Sequence, residues 1–271
     1  PTDGRFCADM SQIYGTMHRL TVLIIAYLVG VLMVSAQDFA SPQPYGGKAA
    51  VGWMLDQEQH FPSEALAADL KGEVVVSFKV LADGTAKNIH VTLPLDADCD
   101  AEAVRLVKLI RWRPASVGGT ALDTDHSITI PFNAKRYRKL HAKATPCQRP
   151  PSALLDDDSN VLYTDKGLDS LAVPMIPDGI RGLPNYLVSN LNYPPEAFRL
   201  DIQGKVTIEF VVETRGSISN LRTLNFLGGG CDDEAMRLAR SICWIPAIKG
   251  DKHVRSIMKL DLLFRLNPTL R

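Results

Sequence analysis

The chain has 271 residues, 46% of them apolar and 22% charged, an ordinary globular usage that allows one large domain or two small ones. Thirty basic and thirty acidic side chains cancel to a formal net charge of zero. No global field therefore draws the chain to nucleic acid or to an anionic membrane, which counts against a dedicated DNA-binding role.

In chain order, the first signal begins at an internal methionine. Met17-His18-Arg19 places a positive charge ahead of an uninterrupted apolar run over 20–36, which ends in the small-x-small pattern Val34-Ser35-Ala36 before Gln37. Segment 17–36 thus reads as a secretory signal peptide. The run is about seventeen residues long, at the lower edge of what spans a bilayer, so an uncleaved inner-membrane anchor is the alternative. Either reading implies export, which makes disulfides permissible. Residues 1–16 read as non-native upstream sequence and are set outside the fold.

The first lobe is expected over 49–133. A helix is expected near 51–59, strands over 72–81 and 85–93, a second helix over 100–110 and a last strand over 126–133. A linker with local helix follows over 134–182, with the basic start "AKRYRKLHAK", the pair Pro150-Pro151 and the acidic run 156–158.

The second lobe, 183–267, repeats the order. A short amphipathic stretch over 183–191 stops at Tyr193-Pro194-Pro195, because proline lacks an N–H and disfavours helix in the residue before it. In 204–213, Val206, Ile208, Phe210 and Val212 share one face at period two. A turn at Thr214-Arg215-Gly216 joins this strand to a second over 217–226. Asp232 or Asp233 is expected to cap a helix through about Ile242, whose apolar stripe lies on the hairpin. Residues 254–266 supply the final strand. The class is α+β: two tandem lobes, each an antiparallel three-stranded sheet with a helix packed on it.

A shift of about 132 residues aligns 61–118 with 193–250 without a gap, and about 22 of roughly 58 positions are identical. "FPSEA" meets "YPPEA", Gly72 meets Gly204, Gly84 meets Gly216, and Trp112-Arg113-Pro114-Ala115 meets Trp244-Ile245-Pro246-Ala247. The order and spacing of these motifs, with "GKVTIEFVV", "DDEAMRLAR" and the closing "FRL", resemble the C-terminal domain of the TonB energy-transducer family, twice over and across roughly two thirds of the chain.

The resemblance implies an interaction domain that binds an extended segment of an outer-membrane transporter by strand addition, in support of energy-dependent transport across the envelope. Inner-membrane motor proteins would be further partners. Carried onto this chain, the binding strand is Ile257, Met258, Lys259, Leu260, Asp261, Leu262, Leu263 and Phe264, and its first-lobe equivalent runs from Ile128 to Phe132. Pro131 removes an edge donor from the first lobe, whereas Leu263 keeps the second lobe's edge complete. The second lobe is thus expected to bind peptide and the first to be mainly structural. Two departures put force transmission in doubt: run 20–36 has no ionisable residue, and 37–48 offers only about a dozen residues of spacer, at most about 40 Å.

The remaining features read as structural. Trp112 and Trp244 sit where a core plug is expected rather than a ligand platform. The six histidines lack a metal-site spacing, no cofactor motif occurs, and Gly228-Gly229-Gly230 lacks the Lys-Ser/Thr of a phosphate loop. No catalytic motif appears, so an enzyme is not expected. With Cys7 set aside, Cys99, Cys147, Cys231 and Cys243 allow three pairings. Cys99 and Cys231, equivalent in the two copies, read as buried small apolar residues. Two alternatives to a transducer stand: a secreted tandem binding module, and a scaffold whose lobes pair edge to edge or form a homodimer through those edges.

Overall fold

The computed structural model describes residues 38–143, 147 and 149–266. Segments 1–16 and 17–36 lie outside these residues. Among those described, no helix is long and apolar enough to cross a membrane.

Strands β1 (Phe39–Ala40) and β2 (Gln43–Pro44) lead to helices α1 (Gly47–Glu58) and α2 (Ser63–Ala67). Next come β3 (Lys71–Val80), β4 (Ala86–Leu93), α3 (Ala97–Leu109), β5 (Trp112–Arg113), β6 (Ala115–Val117), β7 (Thr120–Leu122) and β8 (Thr124–Asn133). The connection carries α4 (Ala134–Lys143), β9 (Leu155–Asp156), β10 (Leu162–Tyr163) and β11 (Val173–Pro174). The second lobe holds α5 (Gly179–Asn190), α6 (Pro195–Arg199), β12 (Gly204–Val212), β13 (Ile218–Thr223), α7 (Cys231–Arg240), β14 (Trp244–Ile245), β15 (Ala247–Lys249) and β16 (Lys252–Phe264). The chain divides into two compact units. In the small one, Phe39 and Ala40 pair antiparallel with Val117 and Ser116. The other contains both lobes and the connection between them.

Both lobes are α+β. The first has the antiparallel order β4-β3-β8 and the second β13-β12-β16, with α3 on the first sheet and α7 on the second. The period-two faces meet the helices as their spacing requires: Val74, Val76, Phe78 and Val80 bury against Cys99, Ala103, Leu106 and Val107. In the second lobe Val206, Ile208, Phe210 and Val212 bury against Cys231, Ala235, Leu238 and Ala239. Each fully buried large apolar side chain contributes about 1.5–3 kcal/mol relative to exposure. Trp112 and Trp244 lie inside these cores, with ring centres 5.0 Å from Phe78 and 5.4 Å from Phe210.

Several local devices occur in both copies. Each ladder shifts register, between Ser77 and Lys79 in β3 and between Glu209 and Val211 in β12. Opposite each shift an asparagine, Asn88 (φ 54°) or Asn220 (φ 52°), takes the left-handed conformation that asparagine tolerates. Gly84 and Gly216 have φ of +83° and +92°, and a Cβ there would lie 2.3 Å from the Trp112 carbonyl oxygen and 2.1 Å from that of Trp244. Gly216→Ala should therefore cost about 1–2 kcal/mol in chemical denaturation through strain and displacement of the Trp244 backbone.

The helix starts differ from expectation. α3 begins at Ala97, where Asp96 is the cap and its carboxylate accepts from the Asp98 and Cys99 N–H groups at 3.1 and 3.4 Å. α7 begins at Cys231 after left-handed Gly230, and no side chain caps it. Asp232 instead reaches back to accept from the N–H groups of Leu227 (3.1 Å) and Gly228 (2.8 Å), holding the glycine loop. Asp100 does the same for Leu95 at 3.0 Å.

The lobes do not pair edge to edge: among the described residues their sheets share no strand. Instead α1 of the first lobe packs on β13 of the second. Asn220 accepts from the Arg111 N–H at 2.7 Å and donates to the Leu109 carbonyl at 3.0 Å. Glu209 bonds Arg222 (2.6 Å) and Arg111 (3.2 Å), and both guanidinium groups stack on Tyr45. Ser217 donates to Glu58. Cys147 and Cys243 form a disulfide that ties the connection to the second lobe, while Cys99 and Cys231 are free and buried.

Candidate functional site

The residues of interest lie on β16, which runs antiparallel to β12 with Gly204 opposite Phe264 and Val212 opposite Ser256. Which backbone groups face outward follows from β12. Thr207 donates its N–H to the Asn225 side chain (2.8 Å) and accepts at its carbonyl from Leu224 (2.9 Å), both on the β13 side. Its partner Asp261 is therefore in a non-hydrogen-bonded pair, and directs its own N–H and C=O away from β12. Alternation along the strand gives Ile257, Lys259, Asp261 and Leu263 the outer edge. Met258, Leu260, Leu262 and Phe264 bond β12. Among the described residues no strand pairs with the outer edge over this stretch.

Side chains alternate in step. Leu260, Leu262 and Phe264 are buried in the core, and Phe264 meets Tyr193 edge-on at 5.8 Å. Ile257 and Met258 are half-buried, and Lys259, Asp261 and Leu263 are exposed. Hydrogen bonds from Thr207 Oγ1 (2.7 Å) and Lys205 Nζ (3.0 Å) hold the Asp261 carboxyl below the usual carboxylate range. A lysine and an aspartate beside an open edge also discourage indiscriminate strand pairing.

The first half of β16 is already occupied. β9 pairs with it in parallel (Leu155 with Lys252, Asp156 with His253), and so does β10 (Leu162 with Arg255, Tyr163 with Ser256). The Asp157 N–H donates to the His253 carbonyl at 2.9 Å. His253 and Arg255 have the parity of Ile257, so these added strands lie on the same outer edge. Sequence reading missed them, because two-residue strands in 155–163 carry no readable period.

The first lobe differs at the equivalent edge. Pro131 lies opposite Glu73, and its carbonyl accepts from Gln59 Nε2 at 3.0 Å. The outward-facing position thus has no donor, and its acceptor is taken. From Ile128 to Phe132 the strand continues, with Ile130 and Phe132 fully buried.

Burial, followed by the charges of Asp96 and its acidic neighbours, pushes the Cys99 thiol up to about 11, and burial likewise raises Cys231. Among the described residues no three His, Cys, Asp or Glu side chains are grouped to hold a metal ion.

No curated protein and no solved structure matches the chain. The family described as Gram-negative bacterial TonB protein C-terminal matches it twice, over residues 57–134 and 189–266, one match per lobe and together more than half the chain. The chain belongs to that family, in two tandem copies.

Proposed function

We propose that the second lobe takes an extended segment of an outer-membrane transporter as an added strand on the outer edge of β16, along Ile257, Met258, Lys259, Leu260, Asp261, Leu262, Leu263 and Phe264. The protein then acts in the periplasm as an interaction protein in support of energy-dependent transport, not as an enzyme. The observation that carries this reading is the run of outward backbone groups at 257, 259, 261 and 263, on an edge that already accepts β9 and β10 a few residues earlier. Membership of the TonB C-terminal family supports the class of partner. Pro131 and its engaged carbonyl support a mainly structural role for the first lobe.

The test is a pair of prolines. Lys259→Pro removes one outward donor and leaves the β12 ladder intact, so the variant should keep its thermal transition. Titration with a peptide from the N-terminal segment of an outer-membrane transporter should then show binding weakened about two- to tenfold, since a lost hydrogen bond is worth about 0.5–1.5 kcal/mol. Leu260→Pro instead breaks the ladder and should unfold the lobe. A folded Lys259→Pro protein that binds as tightly as the parent would defeat the reading.

A further inference from the structure

The connection between the lobes is held against β16 by more than its two short strands. The disulfide fixes Cys147 to Cys243, whose Cα atoms are 5.2 Å apart, next to Trp244 of the core. Arg149 binds Asp156 at 2.7 Å and the Thr214 carbonyl at 2.6 Å, clamping β9 to the turn after β12. Lys249 Nζ stands 4.5 Å from the Tyr163 ring centre, and Arg255 donates to the Asn160 carbonyl at 3.4 Å. The strands themselves add limited burial: Leu155 is 65% exposed, Asp156, Leu162 and Tyr163 are half-buried, and only Tyr163 of the four packs against the second-lobe core. Two-residue strands with no fully buried side chain do not hold an edge unaided.

From this arrangement we propose that residues 155–163 are a removable strand of the protein's own, occupying the first part of the acceptor edge and kept there by the Cys147–Cys243 disulfide. The inference rests on the strand-addition reading for its functional consequence. While the disulfide is closed, a partner peptide has only 257–264. When it opens, the outward groups of His253 and Arg255 are freed and the edge lengthens to 252–264. Both cysteines are half-buried, within reach of a reductant, and the free thiols of Cys99 and Cys231 are buried and take no part.

The opening step needs a dithiol. Its thiolate attacks one sulfur of the disulfide, and the other cysteine leaves as a thiolate and takes up a proton. The dithiol's second thiol then displaces the first cysteine and closes the reductant's own disulfide.

Two readouts on the full chain separate the parts of the proposal. Amide hydrogen exchange, compared between the oxidised protein and the Cys147→Ser/Cys243→Ser variant, should show His253 and Arg255 losing protection while Met258, Leu260 and Leu262 keep theirs. Unchanged protection at His253 and Arg255 overturns the removable strand. If the double variant loses protection throughout, Asp157→Pro with the disulfide intact replaces it, because it deletes the donor to the His253 carbonyl; the same selective loss is expected, and its absence overturns the proposal. Transporter-segment peptides of about six and about twelve residues supply the second readout. The longer should bind about tenfold tighter once the strand is released and the shorter equally in both states, and a longer peptide with no gain overturns the link to binding. Selective exchange with no binding of either peptide in either state would sink the strand-addition reading and leave the removable strand standing.

Discussion

Arg255→Ala is expected to lower the stability of the chain by about 3–5 kcal/mol, because it strands a carboxylate where water does not reach. The Arg255 side chain is 5% exposed and that of Glu213 4%, and Arg255 Nε and Nη2 bind the two carboxylate oxygens at 2.6 and 2.9 Å. Arg255 Nη2 also donates to the Leu109 carbonyl of the first lobe at 2.9 Å, and Ser219 donates to Glu213. The ion pair thus stands in the contact between lobes. Its first-lobe counterparts are Asp123 and Leu81, which form no such pair, so the duplicated fold itself does not need it. Burying two charges is costly and their attraction only repays that cost, so Arg255→Met/Glu213→Leu should recover most of the loss. A double-mutant cycle in urea checks both statements. A single Arg255→Ala variant within about 0.5 kcal/mol of the parent would contradict the buried pair.

What could be read from the sequence is what repeats locally. Val206, Ile208, Phe210 and Val212 announce a half-buried strand by spacing alone, and the stripe from Ala235 to Ile242 announces the helix laid on it. Because Gly216 and Gly84 fall at matching places, the turns too were legible. The helix starts misled because acids at 232 and 233 resemble caps, whereas three left-handed glycines turn the chain and leave Asp232 to bind that loop. The contact between lobes was not legible. It uses Glu209, Glu213, Arg222 and Arg255, where the first copy has Ser77, Leu81, His90 and Asp123. The divergence is visible in the alignment of the copies, but a charge on a strand does not name its partner across the molecule. The candidate edge was half legible. Pro131 against Leu263 shows which lobe keeps its donors, yet the occupation of 252–256 depends on a disulfide that four cysteines left open among three pairings.

The contact between lobes should also respond to pH through Glu58, at the end of α1. This residue is 5% exposed, and burial, reinforced by the nearby Glu213 charge, pushes its carboxyl up to about 7. The Ser217 hydrogen bond and the charges of Arg105 and Arg215 pull the other way without offsetting it. A carboxyl raised in the folded state binds its proton more tightly there than in the unfolded chain. Its contribution is therefore fully present below the ordinary value near 4.5, falls as pH rises, and is gone above about 7. The full swing is about 3 kcal/mol at most by the pKa difference, and smaller where the lobes relax to admit water. His60, lowered first by burial and then by Arg215, slopes the opposite way: stability is lost as pH falls below its ordinary range. The whole-protein curve mixes the two, so the measurement is a difference between the parent and Glu58→Gln, which keeps the shape and the acceptor for Ser217 but has no proton to lose. Urea unfolding from pH 4.5 to 8 should show the parent losing stability relative to Glu58→Gln as pH rises, with the gap widest above 7. Parallel curves would mean that burial does not raise the Glu58 carboxyl, and that the packing of α1 on β13 carries no pH dependence through it.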